Sequence, residues 1–333
     1  MVNPWLQFLI SAAVIVYAGS TLTRNAAVIA NITGIGTAWA GALMLPLATS
    51  LPELVTTLRA VSIEAPDLAL GNILGSCLYN LALLAIIDYL AGKEALTALI
   101  SKRHIITAYL SILTVGLAFI GMFAINLISI GWIGSNTFLI ALVYIIGSRM
   151  IYKSELMNMD RAGTGNNSHD KEKDQLRNIA ILKFVVAAGF IVAAGIFLTD
   201  AADQIALKTG LGHSFVGSLF LAISTSLPET VTTITAVRLA YLDMAVANVF
   251  GANFANLFIV FLADLFYFQA PLLHEVSNIQ MVTAVIVMVL SAVFVFGLIN
   301  RSGKTFFRTG INTAIILAGY LTAVFLIYRF GGN

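Results

Sequence analysis

The chain is poor in charge, cysteine and histidine, and each shortage excludes something. Only 10% of its 333 residues are Asp, Glu, Lys or Arg, against about 25% in soluble domains, so an ordinary water-soluble protein is excluded. One cysteine, Cys77, leaves no internal disulfide. The four histidines (His104, His169, His213, His274) fall near expected helix ends or in loops without metal-ligand spacing, which predicts interfacial or solvated roles. Neither HExxH nor GxSxG occurs, so an enzyme and its cofactors are not expected. The start, MVNPWLQ, lacks a basic stretch, and no small-residue cleavage site follows the first apolar run, so no removable signal peptide is read. Apolar side chains dominate instead. At 59% hydrophobic residues and a mean hydropathy of +0.94, the composition is that of a polytopic integral membrane protein.

Apolar runs of about 20 residues can cross a bilayer. They fall near 5–23, 36–62, 67–91, 105–124, 128–149, 179–199, 212–238, 243–268, 277–298 and 308–330, ten in all. The one long polar stretch, 153–178, separates an N-terminal unit (1–152) from a C-terminal one (179–333) and reads as a solvated linker. With the N-terminus outside, 15 of the 18 Lys and Arg residues are cytoplasmic, leaving Arg59, Lys208 and Arg329 outside. This predicts both termini outside a plasma or inner membrane and the linker in the cytoplasm.

One segment occurs twice. Residues 48–80 (ATSLPELVTTLRAVSIEAPDLALGNILGSCLYN) align without a gap to 224–256 (STSLPETVTTITAVRLAYLDMAVANVFGANFAN), 176 positions later, with 15 of 33 pairs identical. Unrelated sequence would give about two or three. Five helices per half place the second copy upside down in the membrane. The expected architecture is therefore an all-α bundle of two inverted five-helix repeats, with helices 2, 3, 7 and 8 broken around a midplane ion site, the layout of secondary transporters.

The repeated residues supply oxygen. Pro52 and Pro228 cannot donate to the carbonyls about four residues back, near Ala48–Thr49 and Ser224–Thr225. The hydroxyls of Thr49, Ser50, Thr225 and Ser226 and the carboxylates of Glu53 and Glu229 lie within about a turn of them. On the partner helices Ser76 and Asn80 share a face, and Asn256 repeats Asn80. A carboxylate inside hydrocarbon is costly, and no Lys or Arg lies mid-span to pair with either glutamate, so two in equivalent positions point to a site. An all-oxygen set suits hard cations, Ca²⁺ or Na⁺, and two glutamates balance one Ca²⁺ or two Na⁺. The equivalent Asp88 and Asp264 are expected at the membrane interfaces, Asp67 and Asp243 as N-caps of their own helices, and Cys77 as a small packing residue.

With TSLPE in each half followed by D-x-x-x-x-N-x-x-G, the chain resembles the cation/Ca²⁺ antiporter superfamily. Its likeness is in particular to prokaryotic Na⁺/Ca²⁺ exchangers, whose repeats have the form G-T-S-L-P-E … G-N-x-x-G-S-N-x-x-[ND]. The resemblance implies a Ca²⁺ site of Glu53, Glu229 and the backbone oxygens of Thr49 and Thr225. It also implies sodium sites that share the glutamates and add Ser50, Ser76 and Ser226, and helices 1 and 6 that slide across a static core. The chain departs from the pattern at Ala48, Ser224 and Ala247 (each for Gly), Cys77 (for Asn), Ala252 (for Ser) and Asn256 (where many members have Asp). The calcium ligands are intact and the sodium set is depleted. The expected function is Ca²⁺ antiport driven by Na⁺, with a single chain as transport unit, the bilayer and cations as partners, and no nucleic acid. Ca²⁺/H⁺ antiport on the same fold is the alternative. A cation channel fits less well, because filters arise from oligomeric rings whereas this chain carries its own two-fold repeat.

Overall fold

In the computed structural model, residues 3–34, 37–92, 94–123, 129–162, 171–209, 224–301, 305–306 and 309–330 are described. The long helices are α1 (Pro4–Thr33), α2 (Thr37–Thr49), α3 (Leu51–Ser62), α4 (Pro66–Ala91), α5 (His104–Phe123), α6 (Ser135–Ala162), α7 (Lys171–Thr209), α8 (Leu227–Arg238), α9 (Leu242–Phe266), α10 (Asn278–Asn300) and α11 (Ile311–Phe330). Eight helices among the described residues are long and apolar enough to cross a membrane, and the α2–α3 pair, bent by 42°, makes a ninth. The expected seventh span, 212–238, is described only from residue 224, and His169 and His213 lie outside the described residues.

The helices begin and stop where local chemistry directs. Asn3 caps α1, its side chain accepting from the Trp5 amide at 3.0 Å, and Gly34 ends that helix in the left-handed conformation. α2 contains a π-helical stretch at Ala40–Met44 and ends at Ser50, whose backbone (φ −84°, ψ 7°) leaves the helical range; Pro52 then starts α3. Ser226 repeats this break before α8 (φ −86°, ψ 9°).

Helices α4 and α9, expected to be broken, are continuous. Pro66 sits at the first position of α4, where a proline costs no hydrogen bond. Gly251 serves close packing rather than a kink: a Cβ there would run into the Ala42 carbonyl of α2 and lie 2.8 Å from Pro46 Cγ. The 153–178 stretch is also largely helical. α6 continues to Ala162 and α7 starts at Lys171, with an Asp174–Arg177 ion pair of 3.0 Å one turn apart. Residues 163–170 of that linker lie outside the described residues.

α4 and α9 form the buried centre and cross antiparallel. At the crossing, the Asn253 side chain donates to the Cys77 carbonyl at 3.2 Å. At one end Gln269, just past α9, donates to Glu64, just before α4, at 2.8 Å; at the other, Asp243 accepts from the Ser101 amide at 2.9 Å. The start of each helix thus lies beside the end of the other, as an inverted repeat requires. The outer helices instead display large apolar side chains such as Tyr17, Phe190 and Phe325, suited to lipid.

Four aspartates lock the halves together, and their roles differ from those expected. Asp88 and Asp264 lie in the last turns of α4 and α9 and are fully buried against neighbouring loops rather than exposed. Asp88 accepts from the amides of Leu96 and Gly310, each at 2.6 Å, and from the Thr313 hydroxyl. Asp264 accepts from the amides of Leu272 (2.6 Å) and Gly134 (2.8 Å) and from the Thr137 hydroxyl, each partner being 176 positions from its counterpart. Asp67 and Asp243 do not cap their own helices. Asp67 accepts from the amide and hydroxyl of Ser277 before α10, both at 2.7 Å, while Asp243 holds Ser101 and His104 before and at the start of α5. A side chain at the first turn points back toward the preceding loop, where it meets the neighbouring half rather than its own amides. The Asp243 contact also corrects His104, which is buried against that carboxylate at 2.6 Å.

Candidate cation site

The two helix breaks face each other across the α4–α9 crossing. Each break places a serine at the bend and a glutamate in the first turn of the following half-helix, where the positive end of the helix dipole favours an anion. The halves then exchange hydrogen bonds: Ser50 donates to Glu229 Oε1 at 3.2 Å, and Ser226 to Glu53 Oε1 at 3.3 Å. Ser226 Oγ also lies 3.1 Å from Ser76 Oγ of α4. The Thr49 hydroxyl donates to the Leu45 carbonyl at 3.1 Å. Glu53 and Glu229 are 1% and 2% exposed, and Thr49, Ser50, Ser76, Asn80, Thr225, Ser226 and Asn256 are all buried with them.

Each glutamate keeps its second oxygen, Oε2, without a hydrogen-bond partner, and so do the side-chain carbonyls of Asn80 and Asn256. Four buried acceptors without a protein donor are costly unless water or a cation meets them. Their chemistry is that of hard ions. No His, Cys, Asp or Glu groups of three or more that could hold a metal occur among the described residues, so charge comes from the two glutamates and the remaining donors are neutral oxygens.

Of the nine residues expected from sequence, hydrogen bonds join Glu53, Ser226 and Ser76 in one group and Glu229 and Ser50 in the other, and Thr49 and Thr225 are buried next to the two serines. Asn80 and Asn256 face the same crossing from α4 and α9. One contributor was missed. Asn253 accepts from the Asn80 amide at 3.0 Å and thereby turns the Asn80 carbonyl away from itself. Its repeat counterpart is Cys77, whose thiol faces the Asn253 carbonyl at 4.0 Å. The 176-residue offset contained that signal, since it pairs Asn253 with the one cysteine.

Known proteins share this chain's sequence pattern and fold. The family model described as sodium/calcium exchanger protein matches residues 3–150 and again 179–326. An uncharacterised membrane protein of Methanocaldococcus jannaschii is 25% identical over 297 residues, covering 89% of this chain and 91% of its own. The sodium/calcium exchanger MaX1 of Methanosarcina acetivorans is 29% identical over 113 residues, 31% of this chain and 32% of its own. Among solved structures, the sodium-calcium exchanger NCX_Mj, soaked with 10 mM Na⁺ and no Ca²⁺, superposes with a TM-score of 0.75 at 20% identity, covering 97% of this chain and 98% of its own. At that identity the match speaks for the fold.

Proposed function

Because the chain belongs to the sodium/calcium exchanger protein family, we propose that it moves Ca²⁺ across the membrane in exchange for Na⁺, by alternating access at one central site. In this reading Glu53 and Glu229 are the charged ligands, and Thr49, Ser50, Ser76, Asn80, Thr225, Ser226 and Asn256 supply neutral oxygens. The observation that carries it is the crossed pair of buried glutamates, each bonded to the serine of the opposite half and each with one unpartnered oxygen. The same oxygens serve Ca²⁺ and Na⁺ in turn, because the radii of the two ions are similar and their coordination is flexible. A site that holds one cargo or the other, never both, couples their movements.

The alternation rests on α1 and α7, which pack along each other and against the half-helices. The polar contacts of α1 to α8 are long: Thr23 to the Thr232 carbonyl at 3.4 Å and Ser20 to Thr235 at 3.4 Å. Long, weak contacts suit a surface that slides, whereas the aspartate locks around α4 and α9 suit a static core. The distribution of Lys and Arg supports both termini outside and the linker in the cytoplasm.

The test is Ca²⁺ uptake into proteoliposomes loaded with Na⁺, compared with uptake driven by a proton gradient alone. Na⁺-driven uptake is the expected result. Uptake indifferent to Na⁺ and driven by protons would replace the reading with Ca²⁺/H⁺ antiport, the two glutamates then carrying protons. Unitary conductance far above carrier turnover would replace it with a channel.

A further inference from the structure

Among the described residues, the buried oxygens that only accept hydrogen bonds and have no protein partner form a short set: Glu53 Oε2, Asn72 Oδ1, Asn80 Oδ1, Glu229 Oε2, Asn248 Oδ1 and Asn256 Oδ1. They are three pairs, each related by the 176-residue offset. The remaining buried polar atoms without partners, the indole N–H of Trp39 and five hydroxyls, show no such pairing. Four of the six oxygens belong to the central site proposed above. Asn72 and Asn248 do not, and nothing in that reading uses them.

Their positions are regular. Asn72, Ser76 and Asn80 follow one another at four-residue intervals on one face of α4, as Asn248, Ala252 and Asn256 do on α9. Each added asparagine lies one turn, about 6 Å, beyond the central site along its helix. Both are pinned by their amide nitrogens to the half-helix that carries the glutamate. Asn72 donates to Thr57 at 3.1 Å, while Asn248 donates to Thr233 at 2.9 Å and Thr232 at 3.1 Å. Thr57 and Thr233 lie four residues after Glu53 and Glu229. A tether through nitrogen fixes the amide plane and leaves the carbonyl oxygen with nothing to bond, although Asn72 is 6% and Asn248 0% exposed. Tethering alone does not require an asparagine with an unmet oxygen in both halves.

Because α4 and α9 run antiparallel, the two asparagines fall on opposite sides of the centre. Asn72 is toward the Glu64–Gln269 end, and Asn248 toward the Ser101–Asp243 end. We propose that Asn72 with Thr57, and Asn248 with Thr233, are two flanking cation stations, one on each side of the central glutamates, where a partly dehydrated Ca²⁺ or Na⁺ exchanges water for a fixed carbonyl on its way in or out. A neutral carbonyl and a hydroxyl suit a transit position, since they replace lost hydration without the charge that would trap a divalent ion. The inference rests on the central-site reading, and its test separates the two.

The experiment uses the full chain in proteoliposomes of uniform orientation. Ca²⁺ half-saturation is measured from each face, with equilibrium Ca²⁺ binding measured in detergent. Asn72→Leu is expected to raise half-saturation about tenfold from the face nearer Asn72 and to leave the opposite face unchanged. Asn248→Leu should do the reverse, and both should bind Ca²⁺ at equilibrium as the unaltered chain does. Asn72→Gln and Asn248→Gln, which keep a neutral amide carbonyl, should restore the low half-saturation value and cover the case in which a leucine variant fails to fold. Equal shifts on both faces, or none, would overturn the stations. If, in addition, Glu53→Gln transported normally, the central site itself would be wrong; with Glu53→Gln inactive, only the flanking stations fall.

Discussion

At the residue scale, two pairs of buried carboxylates differ in how far the protein itself occupies their oxygens. Glu53 and Glu229 each keep one oxygen without a partner, whereas both oxygens of Asp88 and of Asp264 are engaged, each carboxylate being held by two amides and a hydroxyl. Similar burial therefore predicts opposite phenotypes. Glu53→Gln and Glu229→Gln keep the volume and remove one of two charges from a low-dielectric site, so Ca²⁺ transport should fall by about a hundredfold or more while thermal unfolding in detergent moves little. Asp88→Ala leaves the Leu96 and Gly310 amides buried without an acceptor. It should destabilise the protein by about 3 kcal/mol, read as a lowered unfolding temperature, with residual Ca²⁺ affinity in the folded fraction. Full transport in a glutamate variant, or normal stability in Asp88→Ala, would break this division. The glutamates were legible in the sequence because a carboxylate in an apolar run is conspicuous. The aspartate staples were not, since their partners Gly310 and Gly134 offer only backbone amides, which carry no side-chain signal.

At the element scale, the repeat disclosed which helices matter but not how each is bent. TSLPE marked the breaks at Ser50 and Ser226, because proline withdraws a donor at a fixed position. Gly251 does not break α9, because only the neighbouring helix reveals that its missing side chain makes room for α2. The same kind of contact governs the proposed sliding pair. Gly19 of α1 and Gly195 of α7 are repeat-related, and a Cβ on them would lie 2.9 Å from Val231 of α8 and 2.7 Å from Pro52 of α3, respectively. Both glycines sit at the seam between these long helices and the half-helices that carry the glutamates. Gly195→Val should therefore wedge α7 against Pro52 and cut Ca²⁺ exchange at least tenfold, while Ca²⁺ binding at equilibrium changes less than about threefold. Parallel loss of binding and exchange would mean that the substitution distorts the site rather than blocking movement.

At the scale of the whole molecule, inversion makes the two halves each other's supports. The serine of one half bonds the glutamate of the other, and the aspartate of one half holds helix starts in the other, so neither half closes its own site. The symmetry is incomplete at the centre, where Ala252 stands opposite Ser76 and Cys77 opposite Asn253. What remains charged is two glutamates, and among the described residues no cluster with a third acidic group adds to them. Net charge buried in a low-dielectric passage is costly, so the occupied carrier is favoured when its cargo brings two positive charges. One Ca²⁺ meets that condition, and so do two Na⁺; three Na⁺ would leave one charge uncompensated. Each cycle should then exchange two monovalent ions for one Ca²⁺ and move no net charge. A third Na⁺ would move one charge per cycle, worth about 2.3 kcal/mol per 100 mV. The expected outcome is that Na⁺-driven Ca²⁺ uptake keeps the same initial rate when a potential of either sign is imposed with K⁺ and valinomycin. A rate that rises with one sign and falls with the other, or a current on a supported membrane, would show that a further charge travels with the cargo and that the neutral oxygens around Ser76 hold an extra ion.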